Sequence, residues 1–376
     1  MKLDIIRDEA GFAALEPVWD ALLNQSCTQS PFLAWDYVRL WWAECRAEFQ
    51  LCIGVVRDDD EQVVGIAPLV IGKGADGSRQ HLKHLGFING MGEVQGERLD
   101  LIVLEGRESE VTPVLMTVAT ESRHLWDMVR LNKVPTESLN YSYLLSELRW
   151  AGSGTGVLNL TECRFITLPA TWDEYAMRQS GNWRRKLRKR WENLSEGRQM
   201  RTLLAGKDCP AGPAIERFFE LHRLHFPEGV SSFLREKSRR IHQQLMEKWL
   251  LDGRAMLPVI EMDGEIIAGI YCLKSKNDML QYQLGWDPQY AKHGLGNLAM
   301  KWAVECSISA GATRYDLLPG DYDYKRVWAD DRRLVSDIEC FHPHRPGAFL
   351  FRTLRTLKRR LARPAPIPET ITEPAE

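Results

Sequence analysis

The stretch MLQYQLGWDPQYAKHGLGNLAMKWAVECSISAGATRYDLLPGDYDYKRVW, Met279 to Trp328, decides how the rest of the chain is read. Its alternating apolar start, Met279 to Trp286, predicts a strand, and Asp287 with Pro288 predicts a turn after it. Gly294-Leu295-Gly296 then opens a helix expected from about Asn297 to Ser309, because Leu298, Trp302 and Cys306 recur at i, i+4 and i+8. Gly311 closes that helix, and Tyr315 to Leu318 predicts a second strand. Glycines let a backbone come close to a ligand, and the first N–H groups of a helix point outward without a helical acceptor. Strand, glycine turn, helix and strand therefore make a candidate phosphate site. A plain strand–helix connection would use the same G-x-G spacing.

The stretch resembles the acyl-CoA loop of the GNAT acetyltransferase superfamily, Arg/Gln-x-x-Gly-x-Gly/Ala. Gly294 and Gly296 stand on the glycine positions, and Ala291 stands where the Arg or Gln would be. Tyr315 to Lys325 resembles the Asp-Phe-x-x-Gly-x-x-x-Tyr-Lys signature of CelD-like acetyltransferases, which go with the FemABX-like double-GNAT proteins. Asp316, Gly320, Tyr324 and Lys325 match it, while Leu317 replaces the Phe.

The resemblance implies an α+β fold of two tandem GNAT-like domains, each a mixed, mostly antiparallel sheet flanked by helices. It implies acetyl-CoA or another acyl-CoA as donor, and no metal. The first strand should splay from its neighbour, so that backbone from Gln281 through Leu284, Gly285 and Trp286 bonds the pantetheine arm. A nest of His293, Gly294, Leu295, Gly296 and Asn297 should hold the pyrophosphate, with Lys292 as an added cation; Ala291 removes one side-chain contact from it. Acyl transfer also needs an acid for the leaving thiolate and a deprotonated acceptor. Tyr324 is expected to protonate the thiolate, since phenol and thiol pKa values lie close together. Asp316 is expected to take a proton or orient the acceptor, and Lys325 to neutralise phosphate or polarise the carbonyl. Asp316 can equally cap a turn, and Tyr324 can equally only pack.

Outside this stretch the chain is long enough, at 376 residues, for two domains. A net charge of −2 argues against a surface that is wholly a nucleic-acid footprint. The eight cysteines are scattered, without C-x-x-C or metal-like pairing with histidine, and MKLDIIRDEAGF is too charged for a signal peptide. A reduced, cytoplasmic protein is expected.

A second signal is internal repetition. Leu51–Leu69 lies without gaps on Ala255–Leu273, with Val55 on Val259, Gly65 on Gly269 and Leu69 on Leu273. Both read as hairpins, the first with strands Leu51 to Val56 and Val63 to Ile71, and duplication fits the two-domain resemblance. Gly90-Met91-Gly92 has the glycine spacing of the later loop but no periodic helix after it. The first half, 1–155, is therefore expected to lack an acyl-CoA site, and the second, 156–344, to hold it. The boundary is placed at the loosened run Gly152 to Gly156.

Several other segments carry expectations. Ser30-Pro31 predicts the start of an aromatic helix, Phe32 to Phe49, with Ser30 as cap. Thr171 and Glu174 have capping-box spacing. In Asn182 to Trp191, Trp183, Leu187 and Trp191 share one face and cations fill the rest. The cations from Arg184 to Arg190 form either a solvated face or an electropositive wall for an anionic acceptor, with Arg184 and Arg185 as candidate acceptor-binding residues, or for the phosphates of the acyl donor. Their aromatics lie on the core face rather than interleaved for base stacking, which argues against nucleic acid. His225 and Glu228 follow a helix that borders the substrate in GNAT-like folds, and His222 with His225 lacks a third metal ligand nearby. Residues 349–363 predict a basic amphipathic helix with Leu350, Leu354, Leu357 and Leu361 as its stripe. It either packs on the domain or docks on an anionic membrane or acidic partner. The tail from Pro364 to Glu376 is expected to be disordered.

By analogy, the acceptor is expected to be a small molecule or glycan, such as a sugar or lipid-linked intermediate of bacterial exopolysaccharide synthesis, at the inner face of the membrane. Two rivals stand beside this reading: an aminoacyl transferase of FemABX type using charged tRNA, and a non-catalytic module in polysaccharide assembly.

Overall fold

The computed structural model describes residues 1–28, 30–73, 81–226, 229–320, 322–329 and 331–361. Glu228 and the tail after Leu361 lie outside them. A small antiparallel sheet runs β1 (Lys2–Ile6), β3 (Ile53–Arg57), β4 (Val63–Ala67), β7 (Ile102–Val103). The large sheet runs β10 (Met200–Leu204), β12 (Pro258–Met262), β13 (Glu265–Ser275), β14 (Asp278–Trp286), β15 (Arg314–Pro319), β9 (Ser153–Thr167), β16 (Asp331–Phe341), β8 (Met128–Pro135), β6 (Lys83–Phe87), β5 (Leu69–Lys73), β2 (Phe49–Leu51). Short β11 (Ala255–Met256) pairs with β13. Its pairs are antiparallel except two, β14 with β15 and β6 with β8, one in each half of the chain. The expected mixed, mostly antiparallel sheets flanked by helices are there, but the halves share one sheet through β9 and β16.

Both faces of the second half are covered. Along β13, Tyr271 and Leu273 enter a core shared with the first half and with helices Ala211–His225 and Glu236–Asp252. Ile270 and Cys272 point to the opposite core, under helices Trp172–Arg178, Gly181–Ser195 and Leu295–Ser309. Period-two alternation on a strand buried on both faces sorts these side chains.

Three expectations change. Gly152 to Gly156 is not a loosened linker but the opening of β9. A Cβ on Gly152 would lie 2.6 Å from the Phe341 carbonyl oxygen, so this glycine serves close strand approach. The apolar run Val63 to Ile71 breaks at Pro68, which sends β4 and β5 into different sheets. Ser30 does not cap: its hydroxyl donates to the Glu97 carbonyl 2.8 Å away, and the aromatic helix begins later, at Trp35–Cys45. Thr171 does cap, accepting from the Glu174 N–H at 3.2 Å.

The halves are fastened by charge as well as by the core. Asp36 accepts from Lys248, Trp249 and Arg254; burial alone would push its carboxyl up, but these bonds together hold it at about 2. Arg98 of the first half meets Asp278 at 3.3 Å and Asp316 at 3.7 Å, where Arg333 joins both carboxylates.

Candidate active site

β14 and β15 run parallel and pair only where Asp278–Leu280 face Arg314–Asp316. Beyond that point β15 turns away, while β14 stays bonded to β13 as far as Trp286 opposite Ala268. A register shift between Tyr271 and Cys272 leaves Tyr282 as the extra residue of a bulge, which bends the strand at the fork. The fork opens a cavity of about 350 Å³. Leu284, Trp286, Gly294, Leu295, Gly296, Asn297, His225 and Tyr324 all line it.

The floor of this cavity is the helix start. Pro288–His293 forms a 3-10 turn, and Gly294 follows at φ +63°, the left-handed region where glycine carries no Cβ penalty. Gly294 caps Leu295–Ser309, so the N–H groups of Leu295 and Gly296 have no helical acceptor. A Cβ on Gly296 would lie 3.4 Å from Trp286 Nε1, so the loop sits against the indole. Asn297 Oδ1 accepts from Trp328 Nε1 at 3.2 Å, pinning the helix start to the short helix Asp323–Trp328.

That short helix places Tyr324 on the cavity wall, 36% exposed. Burial is the main cause that pushes its phenol up to about 12, with Tyr322 adding to it and a hydrogen bond from Gln281 opposing it. Gln281 in turn accepts from the Tyr315 hydroxyl at 3.0 Å. Gln281 thus acts through its side chain, a role that backbone reasoning from the strand pattern passed over. His225 leans on Trp286 with ring centroids 4.5 Å apart, and burial lowers its pKa.

With this geometry in view, the comparisons are specific for one stretch. Residues 181–326 match the family of the acetyltransferase (GNAT) domain. That stretch is similar to a GNAT acetyltransferase domain. No curated protein sequence matches the chain. Among solved structures, FemX superposes with a TM-score of 0.60 at 12% identity, covering 94% of this chain and 100% of that one. A C-terminal domain assigned to a lysylphosphatidylglycerol synthetase from Agrobacterium fabrum gives 0.53 at 12% identity, over 92% and 96%. A conserved protein of unknown function from Bacteroides thetaiotaomicron gives 0.52 at 9% identity, over 90% and 100%. These likenesses extend beyond the matched stretch to both halves and bear on the fold alone.

Other expected site residues of the GNAT domain lie apart from the cavity. Gly285 faces the other way: a Cβ there would be 2.5 Å from the His222 backbone nitrogen, so it admits helix Ala211–His225 onto the strand. Lys292 is exposed and His293 half-buried on the turn just before the nest. Asp316 is fully buried on the face of β15 opposite Tyr315 and Leu317. It pairs with Arg333 and Arg98 and accepts from the Leu318 N–H at 2.8 Å. Lys325 is 3% exposed, its Nζ donating to the carbonyls of Leu317, Leu318 and Pro319 at 2.7, 2.9 and 3.0 Å. Both side chains are committed to protein partners at the end of β15. Arg184 and Arg185 contact Met177 and Asn182. Arg184 lines a separate groove with Trp172, Trp183 and Trp302. The i, i+4 pattern of helix Gly181–Ser195 was read correctly for its apolar face but could not show which cation reaches the cleft.

One first-half residue was missed altogether. Glu97 bonds Lys133 through Oε1, while its Oε2 is buried with no partner among the described residues. Burial raises its carboxyl pKa, Lys133 lowers it, and the Asp316 and Lys325 charges also act on it. Its only sequence signal is that it is one of two acids, with Glu93, in the glycine-rich loop.

Proposed function

We propose that the protein transfers an acyl group from acyl-CoA to an amine or hydroxyl acceptor. The observation that carries this is the fork between β14 and β15, open to a cavity and floored by a helix start that no side chain caps, inside the stretch matched to the GNAT domain. The pantetheine arm lies along Gln281 to Trp286, and the pyrophosphate meets the N–H groups of Leu295 and Gly296. Tyr324, kept protonated by its raised pKa, protonates the departing thiolate. Asp316 and Lys325 act as braces: the first neutralises the arginines between the halves, the second holds the carbonyl end of β15 so that Tyr324 faces the cleft. Glu97, with one oxygen free of donors among the described residues, takes the proton of the attacking acceptor. The first half, with its glycine loop folded into its core, holds no donor of its own.

The acceptor is a sugar or lipid-linked intermediate of exopolysaccharide assembly, reached at the inner membrane face. Helix Pro346–Leu361 supports that location. Ala348 and Phe351 pack on Phe341, Met128 and Leu82, whereas Phe349, Leu350, Leu354 and Leu357 are 59, 59, 55 and 49% exposed. The leucine stripe therefore faces outward, in a helix whose sequence has five cations and no acid. That composition suits an anionic lipid surface. No helix among the described residues is long and apolar enough to cross a membrane.

Acetyl-CoA at a hundredfold its Kd should stabilise the protein by about 2.7 kcal/mol and raise its Tm accordingly. Absence of a shift with any acyl-CoA would remove the donor reading. The second reading, aminoacyl transfer, is favoured by the likeness to FemX and to the lysylphosphatidylglycerol synthetase domain. Radiolabelled aminoacyl-tRNA consumed in preference to acetyl-CoA would replace the first reading with it. Flotation with phosphatidylglycerol vesicles, compared with a Leu350→Glu/Leu354→Glu variant, tests the membrane face; equal flotation would end that part.

A further inference from the structure

Beside the donor cleft lies a cation that its own loop does not supply. Arg190 leaves helix Gly181–Ser195 and lies against the glycine turn. A Cβ placed on Gly294 would sit 2.6 Å from Arg190 Nε, 2.9 Å from its Cδ and 3.0 Å from its Cζ. The side chain is half-buried, and no acceptor among the described residues receives the guanidinium. Neighbours on the same helix are engaged: Arg184 with Met177, Arg185 with Asn182 at 2.9 Å, Arg188 with Glu192 at 3.5 Å.

What surrounds Arg190 has the same sign. The helix start at Gly294 carries partial positive charge and two N–H groups without helical acceptors, and Lys292 and His293 precede it. A guanidinium beside a helix N-terminus is unfavourable alone, and becomes favourable when an anion lies between the two. The loop itself offers Ala291 where a long polar side chain would reach the same anion.

We infer that Arg190 is the phosphate-gripping arginine of the donor site, delivered from the helix Gly181–Ser195 instead of from loop position 291. It closes on the pyrophosphate of acyl-CoA opposite the N–H groups of Leu295 and Gly296. This rests on the acyl-CoA reading above and goes further by naming the residue and the phosphate. A planar fork can bond two phosphate oxygens at once, which lysine cannot. Gly294 is then constrained twice, by its positive φ and by the room the guanidinium takes.

Calorimetric titration of the full-length protein with CoA, 3′-dephospho-CoA and pantetheine tests this. Arg190→Ala should weaken CoA and 3′-dephospho-CoA alike by at least tenfold and leave pantetheine binding unchanged. Lys189→Ala, an exposed cation on the same helix, should bind all three as the parent does. Undiminished CoA binding by Arg190→Ala would overturn the inference. So would a loss confined to CoA, which would move the contact to the 3′-phosphate, or an equal loss in Lys189→Ala, which would reduce it to a diffuse field. If the parent protein binds no CoA while folded, the donor reading itself fails, a result distinct from all of these.

Discussion

Each half of the chain contains one parallel strand pair followed or flanked by a glycine turn, and the two have opposite fates. In the second half β14 and β15 share three paired positions and then part around a cavity. In the first, β6 and β8 share two, His84 with Met128 and Leu85 with Val129. There the gap is closed. A Cβ on Gly86 would lie 2.7 Å from the Arg130 carbonyl oxygen and 3.1 Å from Met91 Sδ, and Met91 itself is only 5% exposed. Asn132 donates to the Gly90 carbonyl at 2.7 Å, and Gly92 rests on the Phe49 ring. Residues 88–101 form no helix. On the proposed donor reading, a forked sheet alone does not make a donor site. The helix start that leaves N–H groups unclaimed makes the difference, and where the chain folds back those groups are covered or absent.

The contrast can be broken from its junction outward. Asp316→Asn should have the largest effect, because it leaves the buried Arg98 and Arg333 to share Asp278, which already pairs with Arg314. Breaking such a buried pair costs about 3–5 kcal/mol, read from urea unfolding. A loss of activity at unchanged stability would instead make Asp316 catalytic. Met91→Ala should cost about 3 kcal/mol by opening the plug of the first half. It should leave the CoA affinity as it was; a second CoA site appearing in calorimetry would show that only Met91 separates the halves. Tyr324→Phe should lower kcat roughly hundredfold with CoA affinity unchanged, as removal of a general acid does. A fall in affinity without a fall in kcat would leave Tyr324 a packing residue.

How much of this was legible in the sequence follows from which forces are local. Gly294 and Gly296, the strand before them and the helix after them could be read because backbone freedom and apolar periodicity leave marks at fixed spacing. The duplicated hairpins were legible for the same reason, and Gly65 and Gly269 each lie under a helix, against Val111 and Phe218. Lys325 was read as a phosphate ligand because a Tyr-Lys pair has no pattern that shows where its amine goes; the three carbonyls it serves are a tertiary fact. Arg190 reads in the sequence only as one cation of a cluster, and Glu97 not at all, because each belongs to an element far from the glycine loop in sequence and only the fold brings Arg190 against Gly294. Gly285 carries a second demand that the sequence does not show, since the face its missing side chain would occupy is taken by the His222 backbone.

The smallest expected effect lies at the seam joining the halves and is a pH dependence. His242 is buried among Tyr37 of the first half and Tyr271, Tyr282 and Phe233 of the second. Its Nε2 and the Tyr282 hydroxyl share a hydrogen bond at 3.1 Å, and its Nδ1 has no partner among the described residues. Burial lowers its pKa to about 3, so the folded state holds it neutral while the unfolded chain takes up a proton near 6.5. A folded pKa below the unfolded one gives stability that is complete above pH 6.5 and is lost as pH falls towards 3. His222, lowered to about 4 mainly by burial, with its Nδ1–H bonded to the Leu284 carbonyl as an opposing effect, adds to the same trend. Each group contributes a slope of at most about 1.4 kcal/mol per pH unit. Urea midpoints measured from pH 7 to 4.5 should therefore decline, and more gently in His242→Gln, where one of the two protons is gone. An identical slope in the variant would mean that water already reaches the seam and that the two halves are less tightly joined there than the open and closed forks on either side.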